Sequence, residues 1–251
     1  MTPATELDEE VKAGDLPGLR RQATVRLFAE QRARVGLVCG GVVVAVVALA
    51  GVSQVMAGVP PSSLWEPVAG VAVRVGIAYP LGRRLVRTHL ARYVTHGQTR
   101  RDFLRAAAVV GAAYALLLAT VWTVGLAAES WAYQALDWAH LPLWSHLFHT
   151  PQQVWLVFVE YGLIMALWTA AGAAVAASKF HSPSRSWGFL AALALVALAE
   201  SAVGTPLPGG VGFTVSPPLL AAVALCVAVI AAGGAVTWRV LRATPVPRSR
   251  S

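Results

Sequence analysis

Three charged residues stand where a charge is costly. Arg74, Glu160 and Glu200 each lie within a stretch of sequence that is otherwise apolar. A charge in hydrocarbon is retained when it is paired or reached by water, so we predict that Arg74 faces the inside of a helical bundle or an aqueous pathway. Glu160 is its best partner by depth along the helices. Two interpretations stay open: a structural ion pair that fixes helix packing, or two groups that line a path for a polar substrate.

Other residue types that could carry chemistry are few. His140, His146 and His149 could bind a metal, but their spacing matches no fixed metal motif, and we expect histidines without a ligand. Cys39 and Cys226 lie inside apolar stretches, where cysteine acts as a small apolar residue. The sequence lacks the glycine-rich loop ending in Gly-Lys-Ser/Thr that holds nucleotide phosphates. We therefore predict neither a metal site nor nucleotide hydrolysis in this chain, and no catalytic residue.

The composition indicates whether these residues belong to a soluble protein or to a membrane protein. Of 251 residues, 57% are hydrophobic and only 13% are charged, about half of the roughly 25% charge of a soluble domain. This disfavours a soluble enzyme, a disordered chain and a fibrous protein, and it favours a membrane protein. The net charge of +8 does not indicate nucleic-acid binding, because the basic residues lie between long apolar runs.

Six apolar runs approach the length of about 20 residues that a helix needs to cross a bilayer. They are rich in Ala, Leu, Val and Gly and do not alternate, which disfavours barrel strands. The fold predicted is all-α, a polytopic membrane protein with six transmembrane helices. The predicted spans are Val35–Ala57, Leu64–Leu81, Phe103–Ala128, Gln153–Ala177, Trp187–Gly204 and Pro217–Trp238.

The distribution of Lys and Arg predicts the orientation of the spans. Segments 1–34 and 82–102 carry six basic residues each, 178–186 carries two and 239–251 carries four, whereas the other connections carry none. Because basic connections stay in the cytoplasm, both termini are predicted to be cytoplasmic, in a plasma membrane protein.

The segments outside the spans complete the predicted organisation. Residues 1–34 form a cytoplasmic leader with an interfacial helix from residue 16, residues 35–238 form the six-helix domain, and residues 239–251 form a basic tail. The first span is predicted to be uncleaved, since it is too long for the apolar core of a signal peptide. The outer connection 129–152 is predicted to hold a short interfacial helix that ends at Pro142, and Trp65 is assigned to an outer aromatic belt.

The inner connection between the second and third spans has the most informative local pattern. Helical spacing predicts a short cytoplasmic helix over 84–96, with Gly97 as its stop. Thr99 can cap the next helix, with Asp102 three residues on. Arg100, Arg101 and Arg105 cluster at the membrane boundary, where anionic headgroups attract them. On the residues alone, a basic connector that obeys topology explains this segment.

The sequence Gly-Gln-Thr-Arg-Arg-Asp-Phe that starts at Gly97, between this helix and an apolar span, resembles the inner segment of actinobacterial type 2 ATP-binding-cassette (ABC) exporter permeases. The resemblance implies six spans, cytoplasmic ends and no nucleotide site of the chain's own. It also implies that a coupling helix around 84–96 docks on a separate ATPase subunit. The positions that match the family's motif are Gly97, Thr99, Arg100, Arg101, Asp102 and Phe103.

On this resemblance the chain is expected to be the permease subunit of an ATP-driven exporter, without enzyme activity of its own. Its expected partners are an ABC ATPase subunit, a second permease subunit that is identical or related, and membrane lipids; no nucleic acid is expected. No cofactor is expected in this chain, because ATP and Mg belong to the ATPase. An amphiphilic substrate is expected, since the spans offer wide apolar walls with few charges. The alternative is a six-span accessory or immunity protein that binds a partner and transports nothing.

Overall fold

The structure is a computed structural model, and every regular element in the part of the chain that it describes is helical, with no strand there. This establishes an all-helical architecture for the described residues, as the sequence predicts. Those residues are 35–37, 39–45, 48, 49, 52, 65, 72–90, 93, 99–138, 153–181, 194, 196, 197 and 219–243.

Three helices are long and apolar enough to cross a membrane. They contain most of the third, fourth and sixth predicted spans. Much of the other three predicted spans lies outside the described residues. The long helices are α2 (Arg100–Ala135), α3 (Val154–His181) and α4 (Leu219–Ala243).

Helix α2 is longer than the span predicted from Phe103 to Ala128. Its 36 residues extend about 54 Å, well beyond a hydrocarbon core of about 30 Å. Residues 129–135, predicted to belong to a separate interfacial helix, continue α2 instead. The helix ends in a Schellman motif: the N–H of Asp137 donates to Gln134 O (3.2 Å) and that of Trp138 to Tyr133 O (2.8 Å). Asp137 adopts a φ of 55°, which an aspartate tolerates better than most side chains.

A fourth helical segment, residues 72–90, also differs from the prediction. It consists of helix α1 (Tyr79–Arg84) between two π-helical turns, Arg74–Ala78 and Leu85–His89, and the backbone stays right-handed helical through each junction. The sequence ends the second span at Leu81 and starts a separate helix at 84, whereas the structure runs on without a break. The reason is that Leu85 and Val86 are buried and the second π-helical turn packs against α3.

Helix α3 packs against each of the other three segments. A Cβ at Gly111 of α2 would contact Thr169 of α3, and a Cβ at Gly162 of α3 would contact Ala119 of α2. As the residue number increases along α2, the number of the contacted residue on α3 decreases. These two helices are therefore antiparallel. Gly233 of α4 meets Ala170, near the same level of α3.

The 72–90 helix crosses α3 at unusually short range. A Cβ added to Gly82 would overlap the backbone carbonyl of Thr169, and one added to Gly172 would overlap the carbonyl of Tyr79. Two glycines at one crossing allow the two backbones to touch. Tyr79 also packs edge-on against Trp168, with ring centroids 6.4 Å apart.

Candidate functional site

The first turn of α2 is built as the sequence predicts. Thr99 has an extended backbone (φ −75°, ψ 151°), and its Oγ1 accepts a hydrogen bond from the backbone N–H of Asp102 at 3.2 Å. The Thr99 hydroxyl also donates to Asp102 Oδ2 at 2.7 Å. The carboxylate in the first turn further stabilises the helix through the helix dipole. The predicted cap of the helix is confirmed.

Arg100 connects this turn to the far end of the chain. Its guanidinium Nη1 donates to the carbonyl oxygens of Leu241 and Arg242, the latter at 3.2 Å. These carbonyls belong to the last turn of α4, where a helix has acceptors without partners and a negative dipole end. Arg100 therefore fastens the start of α2 to the end of α4, and the two helices are antiparallel.

The other predicted coupling residues divide into buried and exposed positions. Phe103 is fully buried and packs edge-on against Tyr93, with ring centroids 5.3 Å apart. Thr99 and Arg101 are exposed, and Asp102 is half-buried. Gly97 lies outside the described residues. In this conformation Phe103 anchors the segment, whereas Arg101 is the charged group of the motif that a partner can reach.

The contacts of the first turn of α2 determine how a displacement of that turn would spread through the bundle. The turn that begins α2 is held to α4 by Arg100, while Phe103 packs on Tyr93 just beyond the 72–90 helix. A displacement of this turn would therefore be passed directly from α2 to α4. The sequence predicts the residues of this turn but not the contact with α4, whose acceptors are backbone atoms 141 residues away.

Arg74 and Glu160, the predicted intramembrane charges, are both buried. Arg74 is 3% exposed at the start of the first π-helical turn, and Glu160 is fully buried in α3. That π-helical turn packs against α3, so the two residues lie on contacting elements. Both side chains are therefore shielded from the surface of the described bundle.

Both residues lie on the same side of the crossing between their helices. Trp65 lies against Trp122 in the second half of α2, whereas Tyr93 packs on Phe103 near the start of α2, so the chain from Trp65 to Tyr93 runs opposite to α2. The 72–90 helix therefore runs in the same direction as α3. Arg74 precedes Tyr79 by five residues and Glu160 precedes Trp168 by eight. Both residues thus precede the crossing, in elements that pack against each other.

An aromatic cluster that the sequence does not predict lies next to Glu160. Trp122 stacks on Tyr161, with ring centroids 4.5 Å apart, and Trp65 lies against Trp122 at 6.0 Å. The Trp65 indole N–H donates to Trp122 O at 3.2 Å, and a Cβ at Gly125 would overlap the Trp65 ring. Trp65, predicted to lie in the aromatic belt, is 7% exposed and belongs to the core instead.

Glu129 holds the segment that contains Trp65. Its Oε1 accepts a hydrogen bond from the backbone N–H of Trp65 at 2.9 Å. An N–H that bonds to a side chain is typical of the first turn of a helix, whose N–H groups lack intrahelical acceptors. The sequence places Trp65 near the start of the second span, but it gives no signal that a glutamate 64 positions away supplies the acceptor.

The remaining predicted site residues fall outside this arrangement. Glu200, His140, His146 and His149 lie outside the described residues. Among the residues that are described, no group of three or more His, Cys, Asp or Glu side chains could hold a metal ion. Cys226 is buried and Cys39 is half-buried, and both are free thiols.

Comparison with family models, with curated proteins and with solved structures finds no match to this chain. Its fold and site are therefore interpreted from its own residues.

Proposed function

We propose that this chain is the membrane-spanning permease subunit of an ATP-driven ABC exporter in the plasma membrane. It crosses the bilayer six times with both termini in the cytoplasm, and it works with a separate ATPase and a second permease subunit. The observation that carries the proposal is the start of α2. There, the exposed Arg101 lies in a turn that Thr99 caps, and Arg100 connects this turn to the end of α4 by hydrogen bonds.

The helix directions support the proposed topology. Helix α2 runs opposite to α3 and α4, and the 72–90 helix runs with α3. If 82–102 is cytoplasmic, as its six basic residues favour, then α3 ends and α4 begins on opposite sides of the membrane. That arrangement is compatible with the predicted fifth span between them.

The contacts at the start of α2 support a coupling role. An ATPase that docks on the exposed face near Arg101 would move the turn at Thr99. Because Arg100 binds the last carbonyls of α4, this movement would tilt α2 and α4 together, relative to α3 and the 72–90 helix. Such a displacement of one part of a bundle against another is how a packed protein changes between two states.

The test is capture of the ATPase. The full chain is purified in mild detergent after co-expression with a candidate ABC ATPase from the same genome, and the bound ATPase is quantified. We expect Arg101→Glu to lower the captured amount at least tenfold, because it reverses the exposed charge of the motif. Arg239→Glu is the matched control, since Arg239 is also an exposed arginine on a helix and lies outside the motif.

Arg100→Gln separates docking from coupling. Loss of its bonds to α4 should leave the ATPase bound but lower its stimulation by the permease. If the chain purifies without the ATPase, or if Arg101→Glu and Arg239→Glu capture it equally well, the coupling role is wrong. A chain that instead brings down another membrane protein would support the accessory interpretation.

A further inference from the structure

An open crevice lies between α2, α3 and α4 at the Arg100 end of the bundle, and Leu85 and Val86 of the 72–90 helix also line it. It has a volume of about 670 Å³, within the range of roughly 300–1,000 Å³ that ligand pockets occupy. Nearly half of the residues that line it are small and apolar, including Ala108, Ala112, Ala170 and Ala173. Gly234 also lines it, and a Cβ there would meet no atom within 4 Å. The crevice is therefore open because the helices that form it carry small side chains.

The depth of the crevice matches one leaflet of a bilayer. On α2 its lining extends from Arg101 to Ala112, about 16 Å along the helix, and half of a hydrocarbon core of about 30 Å is about 15 Å. The two threonines in the wall do not add free polar groups. The hydroxyl of Thr169 donates to Met165 O and that of Thr237 to Gly233 O, both at 2.8 Å. The interior is thus suited to a hydrocarbon chain.

The mouth of the crevice is cationic. Arg101 and Arg105 line it, are exposed, and stand four residues apart, so they share one face of α2. Neither guanidinium forms an ion pair or hydrogen bond within the described part of the chain, in contrast to Arg100, and no acidic side chain lines the crevice there. Trp238 stands at the same level, as tryptophan does at membrane interfaces.

We infer that this crevice binds one anionic phospholipid from the adjacent leaflet. An acyl chain fills the apolar part, and the phosphate of the headgroup lies between Arg101 and Arg105. The charge of the mouth selects an anionic over a zwitterionic lipid, and the shape of the interior selects a lipid over a free anion. The site does not depend on the proposed transport function, because a lipid can occupy it whether or not the chain moves a substrate.

The test is lipid binding to the full chain in detergent, followed by native mass spectrometry. Phosphatidylglycerol and phosphatidylcholine with the same acyl chains are titrated separately. We expect one tightly bound phosphatidylglycerol per chain. Arg105→Gln should weaken its binding about 5-fold, because one basic residue near an anionic headgroup strengthens binding by about that factor. The double variant Arg101→Gln, Arg105→Gln should weaken it about 25-fold. Binding of phosphatidylcholine should weaken less, because its choline cation offsets the charge of its phosphate.

A second variant tests the interior independently of charge. Gly234→Phe projects a ring into the crevice and should weaken both lipids at least tenfold. Gly41→Phe is its control, since a Cβ at Gly41 also meets no atom within 4 Å but Gly41 does not line the crevice. Glycerol phosphate, the headgroup without chains, should not displace phosphatidylglycerol. The inference is overturned if the double arginine variant or Gly234→Phe binds phosphatidylglycerol as the unmodified chain does, or if glycerol phosphate displaces it.

Discussion

Helix α3 contacts the 72–90 helix on one side and α4 on another, and the packing differs between the two. At the first contact, Gly82 and Gly172 bring the two backbones together with no room for a methyl group. At the second, Gly233 meets Ala170 at an ordinary van der Waals distance, Gly234 faces open space, and the crevice lies alongside. The contact of α3 with the 72–90 helix is therefore the closed contact, where backbones touch, and its contact with α4 is the open contact, which borders the crevice.

The difference indicates how the bundle is divided mechanically. A contact between backbones has no side chains that can rearrange, so the 72–90 helix and α3 are expected to move as one unit. The start of α2 is held to the end of α4 by a long arginine side chain, which can swing without breaking a packed core. Helices α2 and α4 can therefore shift relative to α3, and the space between them can accept a ligand.

The largest predicted effect comes from adding one methyl group at the closed contact. Gly82→Ala or Gly172→Ala should lower the free energy of unfolding by about 3 kcal/mol or more, because the new Cβ meets backbone that cannot move aside. The measurement is the unfolding midpoint of the purified chain in detergent.

The control for that prediction is the same substitution at the open contact. Gly234→Ala should leave the midpoint unchanged or raise it, by up to about 1 kcal/mol, since the methyl group enters free space and alanine favours the helix. Equal losses at Gly82 and Gly234 would mean that the two contacts do not differ.

The buried charges provide an effect of similar size at the contact between the 72–90 helix and α3. If Arg74 and Glu160 neutralise each other, Arg74→Met and Glu160→Met should each cost about 3–5 kcal/mol, because each leaves a buried charge behind. The double variant should cost much less than the sum of the two. A double-mutant cycle on the free energy of unfolding measures this coupling, and additive losses would place the two residues in separate interactions.

Local signals in the sequence predicted one end of α2 and misled at the other. The Thr99 and Asp102 pair is a local pattern, and the helix begins where it predicts. The helix end was missed because the Schellman motif uses Asp137 in place of the glycine that usually marks it. The helix of the second span continues beyond Leu81, where the sequence predicts its end, because buried Leu85 and Val86 extend its apolar face past Arg83 and Arg84.

Contacts between distant segments account for what the sequence left out. Arg74 and Glu160 could be identified because a charge in an apolar run is visible in the sequence alone. The bonds from Arg100 to α4 and from Glu129 to Trp65 involve backbone atoms, which have no residue-type signature. The closed contact was missed for a similar reason, since Gly82 and Gly172 belong to no repeated spacing and become meaningful only when the helices cross.

The smallest predicted effect concerns the cap of α2. Thr99→Ala removes the acceptor for the N–H of Asp102 and should cost about 1 kcal/mol. Thr120→Ala is its control, because the exposed Thr120 hydroxyl only bonds back to Leu116 O within the helix, and its loss should change the free energy of unfolding by less than about 0.5 kcal/mol. Since the capped turn also positions Arg100, Thr99→Ala should loosen the start of α2 from the end of α4, seen as faster amide exchange in both segments. Faster exchange that spread equally to the 72–90 helix would contradict the division of the bundle into a closed and an open side.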